Sequence, residues 1–144
     1  MTELPGAVPE IPVADIGEAI KYYEGRLGFE TDWADIELGL AGISSGHCRL
    51  FLSSSRFRKP SGKVGPVSTW LNMESKAEVD NLYQQWSSRN ATVISAPESK
   101  PWGLHEFTAA DHDGNTFRIF YDFATPEREK EAARVRLAAG DLHR

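Results

Sequence analysis

Apolar positions along the chain switch between a period of two and a period near 3.6, and the switches divide it into short elements. Residues 7–13 (AVPEIPV) are extended, with prolines suited to a sheet edge or a strand start. Ile16, Ala19, Ile20, Tyr23 and Leu27 then form the stripe of a helix of about a dozen residues, with Asp15 as N-cap and Gly28 at the C′ position. Phe29–Trp33, Leu38–Ile43 and His47–Ser53 read as three short strands, and residues 54–65, basic and rich in Gly, Pro and Ser, as an exposed linker. Val67–Met73 is extended again. Ser75-Lys76-Ala77-Glu78 is a capping box, and Val79, Leu82, Tyr83 and Trp86 are the buried stripe of a second helix. Thr92–Ser95 reads as a strand. From Pro101 to Phe120 the chain presents Trp102 on a Pro-Trp-Gly loop, a strand, an Asp113-Gly114-Asn115 turn and a returning strand.

The order of elements repeats. Val13-Ala14-Asp15 entering the first helix corresponds to Met73-Glu74-Ser75 entering the second, and Tyr23 to Tyr83. Arg49-Leu50-Phe51-Leu52 corresponds to Arg118-Ile119-Phe120-Tyr121 in the last strand of each half. The predicted fold is α+β: two βαβββ modules, about 7–54 and 66–122, within one domain spanning 1–124. A helical extension over 125–144 follows, with Thr125 as N-cap, Pro126 at N1 and its helix running to about Ala139. Glu127, Glu129 and Glu131 near its start and Arg134 and Arg136 toward its end suit the helix dipole, and the helix reads as a solvated appendage with Val135 and Leu137 as candidate packing residues.

Composition narrows the function. The 144 residues carry a formal net charge of −5, which argues against nucleic acid and suits a cationic small molecule. No apolar run approaches the roughly eighteen residues a membrane span needs, and the first residues have neither the basic nor the apolar region of a secretory signal. The single cysteine, Cys48, forms no internal disulfide, so a cytoplasmic location is expected. There is no phosphate-binding glycine loop and no His-Glu-x-x-His, and no carboxylate spacing identifies a general acid/base pair, so no catalytic residue and no cofactor is assigned. His47 and Cys48, like His105 and Glu106, are adjacent in strands and face opposite sides. His112 reads as a solvated turn residue and His143 as part of the terminus.

The chain resembles the vicinal-oxygen-chelate superfamily, and within it the bleomycin-resistance proteins. The resemblance runs over about residues 5–122 and rests on the order of its motifs: Ala7-Val8-Pro9, Asp15, Arg26-Leu27-Gly28-Phe29, Leu50-Phe51-Leu52-Ser53, Leu82-Tyr83 with Trp86, Pro101-Trp102-Gly103, Glu106-Phe107 and Asp113-Gly114-Asn115. It implies a homodimer of a family in which the N-terminal strand is often exchanged between subunits, crossing near Pro9. Two clefts at the dimer interface would then sequester a bleomycin-type glycopeptide unaltered. The alternatives within the resemblance are a metal-dependent lyase, isomerase or dioxygenase, and a binder of another planar metabolite.

Metal-dependent members carry His, Glu or Gln at four inward-facing strand positions. Those positions fall here on Val8, about Ser68, Arg118 and the span from Arg49 to Phe51, with Glu10 on the face of Val8, so no metal is assigned. The resemblance points to a cleft that stacks a flat heteroaromatic group between aromatic side chains and meets a cationic tail with carboxylates. The candidate ligand-binding residues are Asp32, Trp33, Leu40, Phe51, Ser53, Trp70, Trp102 and Asn115. Phe51 and Tyr121 are assigned to the concave floor, and Trp86, on the helix stripe, to the core. Leu38 or Leu40 stands where a further aromatic would complete a stack. Lys21, Arg26, Arg49 and Arg118 depart from the acidic surroundings usual for such clefts.

Overall fold

Two sheets of four strands each carry the chain, and each is built by one β-α-β-β-β run. The computed structural model describes residues 1–58 and 64–142. The first run comprises β1 (Glu10–Pro12), α1 (Ile16–Leu27), β2 (Glu30–Asp35), β3 (Leu40–Ser45) and β4 (Cys48–Ser53), followed by the short helix α2 (Ser55–Arg58). The second comprises β5 (Ser68–Asn72), α3 (Lys76–Ser88), β6 (Thr92–Ser99), β7 (Leu104–Ala110) and β8 (Thr116–Asp122); α4 (Thr125–Leu142) ends the described chain. Strand orders are β1-β4-β3-β2 and β5-β8-β7-β6, so the duplicated pattern is a duplicated topology. The first strand of each run pairs parallel to the last, and the remaining pairs are antiparallel.

Local chemistry explains the elements. The Asp15 carboxylate accepts the Glu18 amide and the Ser75 hydroxyl accepts the Glu78 amide, each satisfying a donor that a helix start leaves free. Gly28 ends α1 in the left-handed region at φ 74°. β3 starts at Leu40 rather than Leu38 because the Asp35 carboxylate takes the Leu38 amide and Gly39 turns the chain at φ 82°. Residues 55–58, expected to be linker, instead form α2, whose Phe57 and Arg58 amides donate to the Ser54 carbonyl; residues 59–63 of that linker, and His143, lie outside the described residues. β6 extends to Ser99, past Ser95, because it continues to pair with β7 through Glu98 and Ser99. Thr125 is not an N-cap: its hydroxyl donates back to the Asp122 carbonyl, and it is itself the first residue of α4.

One core joins the two runs. Ile11, Val13, Tyr23, Leu50 and Leu52 of the first pack with Val79, Trp86, Phe107, Phe117 and Ile119 of the second. Tyr83 and Leu82 are half-buried at its margin. Helix α1 is pinned to the second run by hydroxyls: Tyr22 donates to the Ala110 carbonyl and accepts the Thr92 amide, and Tyr23 donates to Asp111. The Trp86 indole returns a bond to the Leu27 carbonyl. Because the helices cover one face of each sheet, the opposite face carries Trp33 and Phe51 in the first run and Trp70, Arg118 and Phe120 in the second. Tyr121 does not join that face. It packs against the core together with Phe117 and Ile119, four and two residues before it in the alternation of β8.

Burial, with the Asp111 charge beside it, pushes the Tyr23 hydroxyl far above the ordinary tyrosine range. The unfolded chain loses this proton near pH 10, whereas the folded chain keeps it. Stability is therefore full below about pH 10 and falls as pH rises beyond it. Urea midpoints between pH 8 and 11 should show this fall, with a shallower slope in Tyr23→Phe; an equal slope in the variant would refute the assignment.

Candidate ligand-binding site

In the first run the site is organised by an irregularity in β2. Thr31 pairs with Ile43 and Trp33 with Gly42, so Asp32 is an extra residue in the ladder. In a regular strand Asp32 and Trp33 would point to opposite faces. Here the Asp32 carboxylate accepts the Ser44 hydroxyl at 3.0 Å while the Trp33 indole lies over Gly42, and Ser44 and Gly42 share one face of β3. The bulge thus sets a carboxylate and an aromatic plate side by side. Gly42 is what admits the plate, since a Cβ there would stand 2.6 Å from indole Cε2. Phe51, opposite Gly42 on β4, meets Trp33 edge to face with centroids 5.5 Å apart. Trp33 remains 40% exposed, which leaves indole surface for a ligand.

Leu40 is half-buried on the same face of β3, two residues from Gly42. Ser53 is fully buried; its hydroxyl donates to Glu10 and accepts from Arg58, which also donates to the Ser53 carbonyl. It braces the floor of this face. Asn115 is committed elsewhere. Fully buried, it accepts the Val67 amide and donates to the Pro12 carbonyl and the Asp111 carboxylate, tying the two runs together.

Trp70 and Trp102 belong to the second run. Trp70 is 49% exposed, edge-on to Phe120 at 5.6 Å, with the Arg118 guanidinium 5.0 Å from its ring centre. Trp102 is exposed on the turn between β6 and β7, with the Lys100 ammonium 5.7 Å from its ring centre. That ammonium also bonds Glu98 at 2.8 Å, which lowers the Glu98 carboxyl below its usual range. The turn is fixed to α4: Gly103, at φ 89°, closes onto Ala124, its carbonyl accepts the Phe123 amide, and Arg128 donates to the Trp102 carbonyl. The eight residues are therefore distributed over both runs: Asp32, Trp33, Leu40, Phe51 and Ser53 form one group, Trp70 on β5 and Trp102 on the β6–β7 turn belong to the second run, and Asn115 lies between the runs.

Two features escaped the sequence reading. Gly42 carried a signal, since a glycine inside a strand marks a close approach. A cavity of about 610 Å³ between the runs, lined by Leu27, Phe29, Cys48, Met73, Leu82 and Trp86 among others, had none, because its walls come from five elements distant in sequence. Burial pushes the Cys48 thiol up, so it lines this cavity uncharged.

The family model for the glyoxalase/bleomycin resistance protein/dioxygenase superfamily matches residues 7–119. The chain belongs to this superfamily. Among solved members, a bleomycin-binding protein complexed with bleomycin is 26% identical, with a TM-score of 0.64 over 82% of this chain and 98% of that one. The bleomycin-binding protein of the bleomycin producer Streptomyces verticillus, complexed with copper(II)-bleomycin, is 23% identical, with a TM-score of 0.64 over 83% and 97%. A glyoxalase/bleomycin resistance protein/dioxygenase from Nocardioides is 16% identical, with a TM-score of 0.69 over 85% and 87%. Among curated proteins compared by sequence, none matches.

The residues on the helix-free faces do not fit the metal that some superfamily members use. Arg118 stacks on Trp70 and Phe51 packs on Trp33. Neither an arginine nor a phenylalanine supplies a ligand. Among the described residues no group of three His, Cys, Asp or Glu side chains is placed to hold an ion. His105 is engaged by Asp80 and Ser99, and His112 packs on Tyr22 with ring centres 4.3 Å apart. No helix among the described residues is long and apolar enough to cross a membrane.

Proposed function

We propose that the protein is a cytoplasmic, metal-free binding protein that sequesters a bleomycin-type glycopeptide without altering it. The reading is carried by one observation: the β2 bulge places the Asp32 carboxylate beside the Trp33 plate on the sheet face opposite α1. A planar heteroaromatic group gains stacking from such an indole, and a cationic tail gains a charge-assisted bond from the neighbouring carboxylate. The likeness to a bleomycin-binding protein over 98% of its length supports the choice of ligand class. In this proposal both modules act as one domain, and a second copy of the chain completes each cleft. Exposed apolar side chains such as Leu4, Ile36 and Leu38 are consistent with a surface that a partner covers.

Titration of tryptophan fluorescence with metal-free and copper(II)-loaded bleomycin tests the proposal. Saturable quenching with micromolar affinity, on the order of −8 kcal/mol, is expected. Trp33→Ala and Trp102→Ala should each weaken binding by about 1–3 kcal/mol. A folded dimer that shows no quench at high micromolar drug defeats the claim. The cavity of about 610 Å³ favours a second reading, a small apolar or planar metabolite. Native mass spectrometry of the purified protein separates the two.

A further inference from the structure

Glu106 is the least satisfied charge of the second sheet. It is 4% exposed, its Oε2 is fully enclosed, and its carboxylate makes no hydrogen bond among the described residues. A buried carboxylate ordinarily accepts several. Among the described residues its one opposite charge is Arg118, whose Nη1 lies 3.6 Å from Oε1. The partner looks outward: the Arg118 side chain is 41% exposed and its guanidinium rests on the half-exposed face of Trp70. The β7–β8 register sets Glu106 opposite Phe120 and Thr108 opposite Arg118, so the four residues form one patch on the helix-free face.

A carboxylate, an indole plate and a flat cation between them describe a receptor already holding a flat cation. We infer that Trp70 and Glu106 form a subsite for a planar cationic group, an amidinium or a guanidinium, and that Arg118 fills it in the free protein. A ligand cation of this class replaces Arg118 on the indole and beside the carboxylate, and supplies the hydrogen-bond donors that Glu106 lacks. Arg118 swings into solvent, to which it is already open, on a long flexible side chain. An anionic group is disfavoured because the Arg118 charge is balanced by Glu106 and the unmet need is for donors. The inference deepens the proposed binding role by naming a group that the Trp70 face accepts.

The test uses small probes and no antibiotic, so it stands or fails separately from the bleomycin titration. Benzamidine, its neutral analogue benzamide and the anion benzoate are titrated into the full chain, followed at the Trp70 indole N–H resonance. Wild-type protein should bind benzamidine at least fivefold more tightly than benzamide. Arg118→Met, which removes the internal competitor, should tighten benzamidine a further fivefold or more. Glu106→Gln, nearly isosteric, should bring the two probes within twofold of each other. If Arg118→Met folds poorly, Arg118→Lys replaces it and should tighten benzamidine at least twofold, because an ammonium stacks less well than a guanidinium. Preference for benzoate, equal binding of benzamidine and benzamide, or a benzamidine preference that survives Glu106→Gln would each overturn the inference.

Discussion

Gly42→Ala is expected to abolish the Trp33 platform while leaving the fold in place. The added methyl would overlap indole atoms Nε1 and Cε2, and Gly42 lies in an ordinary strand conformation, so the backbone accepts alanine without strain. The indole must therefore leave the sheet, because the position between β2 and β4 is held by ladders on both sides. Affinity for bleomycin should fall by tenfold or more, about 1.4 kcal/mol at the least, with a changed near-ultraviolet dichroism of the tryptophans and a small change in melting temperature. Trp33→Ala removes the clashing ring, so the two substitutions should be strongly non-additive in binding. Unchanged affinity in Gly42→Ala would show that the ring over Gly42 does not touch the ligand.

Asn115→Ala carries the largest expected loss of stability. One side chain supplies three bonds: those to the Pro12 carbonyl and the Asp111 carboxylate are buried, and that to the Val67 amide is partly buried. Alanine leaves each partner without its bond, and an unmet buried group costs about 1–3 kcal/mol. With some relaxation, a total near 3–4 kcal/mol and a melting temperature lower by about 10 °C are expected. Asn115→Asp should be no better, since it lacks the amide donors and sets a second charge beside Asp111. A loss below about 1 kcal/mol in urea unfolding would mean that water replaces the side chain.

Helices and topology were legible in the sequence because their determinants are local. Asp15, Ser75 and Gly28 do what cap residues do wherever they occur, and the duplicated order of elements reappears as two sheets of corresponding strand order. The face of Tyr121 was legible too, yet it was misassigned. The correspondence of Arg49-Leu50-Phe51-Leu52 with Arg118-Ile119-Phe120-Tyr121 aligns Phe51 with Phe120, and those two occupy the helix-free faces. Tyr121 aligns with Leu52, and both turn inward. Strand ends and the bulge were not legible. They depend on which residue of a neighbouring strand stands opposite, as Gly42 does to Trp33, and that partner is fixed only when the sheet assembles. The isolation of Glu106 was hidden for the same reason: its neighbours Arg118 and Phe120 arrive from the next strand.

The bulge at Asp32 also bears on how this surface can change over generations. β2 is one residue longer than the stretch of β3 it faces. Loss of a single codon there would restore strict alternation, and no strict alternation can present a carboxylate and an indole from adjacent positions on one side. The pairing of charge with plate is therefore gained or lost by an insertion or deletion, in one step. Relatives that differ in what they bind are expected to differ here in length as much as in composition.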